Sequence, residues 1–117
     1  MKASVEIDNN EIVYALVAAL EGGSNYWYNI PDLSMVKKIA GKAMSERITL
    51  SAFDGAVIPV YDLEDEDEFL GDISKENIER GVNLYIQDYG SLQADEMDDG
   101  DGDILLQLIV MGEVVFG

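Results

Sequence analysis

ITLSAFDGAVIPVYDL, residues 48–63, is the stretch on which the fold class turns. Two apolar runs, ITLSAF and AVIPVYDL, flank Asp54-Gly55, a dipeptide that favours tight turns with positive backbone dihedrals. The reading is a β-hairpin over about 47–62. Pro59 has no N–H to give to a strand ladder, which predicts an edge strand or a bulge at that point. On either side the periodicity is helical, without regular alternation of strands and helices. The expected fold is therefore α+β: a small antiparallel sheet carrying this hairpin, packed by three to four helices.

Upstream, Val5 and Ile7 alternate with polar neighbours as a short strand does. Asp8 with Glu11 three residues later resembles a capping box. Ile12, Val13, Leu16, Val17 and Leu20 recur at helical spacing, giving a first helix over about 9–21 that Gly22-Gly23 ends by a left-handed stop. Three aromatics, Tyr26, Trp27 and Tyr28, follow at once. In an extended segment Tyr26 and Tyr28 face one way and Trp27 the other, so core packing suits them better than a continuous stacking platform. Leu33 to Met44 reads as a basic helix capped by Ser34 and weakened by Gly41.

Downstream, Ser74 caps a helix over about 75–89 whose face is Ile78, Val82, Tyr85, Ile86 and Tyr89, and Gly90 ends it. Residues 91–102 read as an exposed acidic loop, Asp103 as the cap of a last helix through ILLQLIVM, and VVF as a final strand. The predicted core is Val13, Leu16, Val17, Leu20, Trp27, Ile78, Tyr85, Leu105, Leu108 and Ile109. One domain over 1–117 suits a chain of this length.

Composition narrows the chemistry. The 117 residues contain no cysteine and no histidine, which removes disulfides, thiolate nucleophiles and the commonest general base. No glycine-rich phosphate loop or nucleophile elbow appears, and no pair of carboxylates is singled out for acid/base work. The chain reads as a non-enzyme with no catalytic residues and no cofactor. Asp99, Asp101 and Asp103 have the opening spacing of an EF-hand loop, but the glycine and glutamate that should follow are Ile104 and Val110. No metal site is expected. There is no 18-residue apolar stretch, and MKASVEIDNNE lacks the apolar centre of a signal peptide. No membrane association and a cytoplasmic location are the expectation.

The formal net charge of -17 is the outlying property. It repels phosphates, so direct nucleic-acid binding is disfavoured. Thirteen of the 24 acids lie in two segments, 62–72 and 95–103, while four of the seven cations, Lys37, Lys38, Lys42 and Arg47, lie together elsewhere. Carboxylates recur about every 6.6 Å along one strand face and about every 6 Å at i, i+4 on a helix. Duplex DNA carries about one charge per 1.7 Å of axis, so two acidic segments side by side imitate a phosphate track roughly. A surface built from Glu64, Asp65, Glu66, Asp67, Glu68, Asp95, Asp98, Asp99 and Asp101 is the candidate site for a protein with a basic, nucleic-acid-recognising face. The bland alternative is a solvated surface that only keeps the chain soluble.

At three places, the first helix with EGGSNYWY, the helix start LGDISKENIERG and the closing DILLQLIVMGEVVFG, the chain resembles a family of small acidic proteins of bacteriophages and bacterial mobile elements. The resemblance covers about half of the chain and does not extend to residues 31–60. It implies a setting in which non-enzymatic accessory proteins block host defence, including restriction enzymes and CRISPR effectors, in the host cytoplasm, sometimes through acidic surfaces. Two alternatives stand beside an anti-defence inhibitor. One is a small-molecule binder, such as a sponge for a nucleotide signal, using Tyr26, Tyr28, Lys37, Lys38, Lys42 and Arg47 in a cleft of a homodimer. The other is a structural protein that self-associates through its apolar tail.

Overall fold

The computed structural model describes residues 7–117. Its elements are α1 (Asn9–Ala18), β1 (Tyr28–Asn29), α2 (Met44–Phe53), β2 (Ile58–Asp62), β3 (Phe69–Ile73), α3 (Lys75–Tyr89) and α4 (Asp99–Met111), with a π turn at Ala19–Gly23 and a 3-10 turn at Ala94–Glu96. The three strands form an antiparallel sheet in the order β1-β2-β3. The α+β class stands. The strand expected around Val5 lies outside the described residues, and Ile7 belongs to no element.

The hairpin is displaced from its expected place. ITLSAF forms the end of α2, where Ile48 and Ala52, four apart, bury one face while Thr49 and Ser51 are enclosed beside them. Asp54-Gly55 does supply a positive φ, +101° at Gly55, but uses it to leave a helix. The second run is a strand, and it pairs with β3 rather than backwards: Ile58 opposes Ile73 and Val60 opposes Gly71, so the acidic run becomes the hairpin loop. Although β2 is central, β1 opposes only Tyr61 and Asp62, which leaves Pro59 beyond its end, and a bulge follows at Val60/Tyr61. Pro59 itself stays in register opposite Asp72, and because β1 stops short of it, no β1 residue is left facing its missing N–H.

The helix expected over Leu33 to Met44 is absent. Ser34 donates its N–H to the Asp32 carboxylate in a turn, Gly41 takes a φ of +77°, and helical structure starts only at Met44. The first helix also leaves differently from the expectation. Neither Gly22 nor Gly23 is left-handed; the chain exits through the π turn, closed by Ser24 N–H on the Ala19 carbonyl at 2.9 Å. Gly23 is required by proximity instead, since a Cβ there would lie 2.8 Å from the Asp99 carbonyl oxygen.

At the other end, α4 begins five residues earlier than expected. Asp98 and Asp101 form a reciprocal capping box, at 2.8 and 3.2 Å, and Asp103 is carried into the interior on the first turns. VVF is not a strand. The third helix spans Lys75–Tyr89 with the Ser74 cap as read.

One core cluster joins all four helices to the sheet. It includes Leu16, Trp27, Ile78, Leu105 and Ile109, and of the ten predicted core residues only Val17 is partly exposed. α3 crosses α4 so closely that a Cβ on Gly81 would stand 2.4 Å from the Ile109 side chain.

Candidate functional site

The buried polar centre lies where the aromatic turn meets α4. Asp103, 8% exposed, accepts four hydrogen bonds: from Ser24 Oγ at 2.7 Å and Trp27 Nε1 at 2.7 Å on one oxygen, and from Tyr26 OH at 2.5 Å and Gln107 Nε2 at 3.2 Å on the other. Among the described residues no lysine or arginine pairs with this carboxylate. Its charge is held by donors alone, each charge-assisted and therefore stronger than a neutral hydrogen bond. Desolvation first, and then the hydrogen bond to Asp103 and repulsion from its charge, push the Tyr26 phenol up to about 12, with Gln107 opposing the rise. The Tyr26 ring itself stays half exposed.

Gln107 passes the order on to the C-terminal segment. Its Oε1 accepts the N–H groups of Val115 and Phe116, both at 2.8 Å, and its Nε2 donates to the Phe116 carbonyl at 3.0 Å. Phe116 then stacks on Trp27 with centroids 5.4 Å apart and planes 12° from parallel. Periodicity alone did not single out Asp103 and Gln107, yet a signal existed. Gln107 is the single polar position within the apolar run 104–111, and Asp103 lies one turn before it at i−4; a buried polar group must find partners.

This fixed turn carries the two acidic segments on its two ends. Gly23 abuts Asp99 at the start of α4, and the Trp27 carbonyl accepts the N–H of Leu63 at 2.8 Å, at the base of the hairpin loop. Four residues of chain reach at most about 14 Å, so the bases of the two segments are neighbours. Glu64 to Glu68 are all exposed, as are Asp95, Asp98 and Asp99, while Asp101 is half-buried.

The acids divide by what they do. Asp98 and Asp101 cap α4, Asp62 accepts the N–H groups of Glu64 and Asp65, and Asp65 accepts that of Asp67, so these shape the backbone. Glu64, Glu66, Asp67, Glu68, Asp95 and Asp99 have no side-chain hydrogen bond or ion pair among the described residues, and remain available to solvent or a partner. Asp99, Asp101 and Asp103 do not converge: one faces out, one caps and one is buried. Among the described residues no group of three acids is placed to hold a metal ion.

The alternative ligand residues are largely occupied within the fold. Lys37 pairs with Asp54, Lys42 with Glu46 at 3.4 Å, and Arg47 donates to the Lys37 carbonyl at 2.8 Å. Lys38 is exposed. The Tyr26 hydroxyl is bound to Asp103 and that of Tyr28 to the Leu20 carbonyl.

No helix among the described residues is long and apolar enough to cross a membrane. Comparison with protein-family models, with curated proteins and with solved structures finds no match.

Proposed function

We propose that the protein is a non-enzymatic inhibitor of a host defence system of the restriction or CRISPR type, acting in the host cytoplasm as part of a phage or mobile element. It occupies the basic, nucleic-acid-recognising face of a defence protein with its own acidic surface. The observation that carries this reading is the placement of both acidic segments on the ends of one turn, which the Asp103 network holds rigid. Exposed carboxylates fixed on a rigid frame lose little entropy on docking, and a net charge of -17 accelerates encounter with a cationic face.

The division among the acids defines the test. Glu64, Glu66, Asp67, Glu68, Asp95 and Asp99 are replaced by Gln or Asn, while Asp62, Asp65, Asp98, Asp101 and Asp103 are kept so that turns, cap and core stay intact. The native chain, used as bait in host lysate, is expected to retain a DNA- or RNA-binding protein at low salt and release it at high salt. The neutralised chain, with unchanged circular dichroism, is expected to retain none. Equal retention by both chains would refute the reading.

A further inference from the structure

Beside the acidic segment at the start of α4 lies a groove of about 270 Å³ between α1 and the turn at 94–97, walled by Tyr14, Val17, Ala18, Met97 and Asp95. It is preformed: Glu11, on α1, accepts the N–H of Ala94 at 2.7 Å and ties the turn to the helix across 83 residues of sequence. The volume is below the roughly 300–1,000 Å³ of small-molecule sites, and suits a single long side chain. Its lining is of three kinds. Tyr14, 65% exposed, offers an aromatic face, Val17, Ala18 and Met97 offer an apolar floor, and Asp95 sets a carboxylate with no partner among the described residues at the rim.

We infer that this groove seats one arginine side chain of the basic partner, with the stem on the apolar floor and the guanidinium between the Tyr14 ring and the Asp95 carboxylate. The inference rests on the acidic-surface reading and adds a specific anchor to it. A guanidinium is the group that meets all three walls. Its plane stacks on an aromatic face, its fork matches a carboxylate, and its weak hydration lowers the cost of leaving water. An ammonium shares the charge but neither the plane nor the fork. Charge complementarity favours such an occupant over a second copy of this chain, which would bring the same excess of carboxylates to the groove.

The test titrates octa-arginine and octa-lysine into the full, isotope-labelled chain and follows backbone and methyl resonances. The arginine peptide is expected to bind about fivefold more tightly, the size of one exposed cation–π contact, and to shift Val17, Ala18 and Met97. Tyr14→Leu keeps the wall apolar and removes the ring face; Asp95→Asn removes the rim charge. Either is expected to bring the arginine peptide down to the lysine value. If both peptides bind equally and move only residues 64–68 and 98–101, the groove assignment is overturned while the acidic-surface reading stands. Failure of both peptides to bind at low salt would overturn both.

Discussion

Trp27 Nε1 donates to the Asp103 carboxylate at 2.7 Å across 76 residues of sequence, and so fixes the aromatic turn to the last helix. The carboxylate has three further donors, which makes Asp103→Asn informative. The substitution keeps the shape, removes the charge and turns an N–H₂ toward groups that already donate. It is expected to lower stability by about 1.5–3 kcal/mol, the range for hydrogen bonds to a charged group, seen as a lower urea midpoint at unchanged slope.

Beyond the Gly112 cap, Gln107 is the only residue through which residues 113–117 receive backbone hydrogen bonds among the described residues. Gln107→Ala should release that segment, lift Phe116 from Trp27 and shift the emission of the single tryptophan to longer wavelength. Phe116→Ala should shift the emission similarly while reducing stability less, by about 0.5–1.5 kcal/mol for the ring pair beyond its buried area. Unchanged emission in both variants would contradict the stacked arrangement.

The Tyr26 phenol titrates at about 12 in the folded chain against 10.0 for the free side chain. Because the folded value is the higher, folding favours the neutral phenol. Its contribution is fully present below pH 10 and is lost as pH rises through 12. Melting temperature is expected to fall over that window, and Tyr26→Phe should make the fall shallower. Burial raises Tyr28 and Tyr85 as well, so the difference between native and variant profiles isolates Tyr26.

At the α3–α4 crossing, Gly81→Ala pits helix propensity against space. Alanine gains up to about 1 kcal/mol in an open helix. Here its methyl would stand 2.7 Å from backbone atoms of Ile109, which cannot rotate away. A net loss of about 1–3 kcal/mol is expected from overpacking, measured by denaturant melts. A stabilised variant would show that the two helices separate freely.

How much of this was legible in the sequence follows from where the deciding contacts lie. α3 is legible in the sequence because its cap, its stop and its apolar face are local. The helix expected at 33–44 starts only at Met44 and the hairpin expected at 47–62 moves downstream to β2 and β3, and the two differences go together. The apolar spacing of ITLSAF fits a strand or a short buried helix, and only packing of Ile48 and Ala52 into the common core decides between them. The acids were legible as two segments, but not their division into capping and free carboxylates, which depends on backbone N–H groups nearby. An aspartate before an apolar run reads as a helix cap, yet Asp98 holds that place and Asp103 turns inward.

Competition tests the central claim most directly. A protein captured from host lysate is bound to duplex DNA or RNA, the native chain is titrated in, and the measurement is repeated across salt concentrations. The account predicts mutual exclusion, with the logarithm of affinity for the chain falling linearly against the logarithm of salt. A ternary complex, or an affinity indifferent to salt, would contradict it.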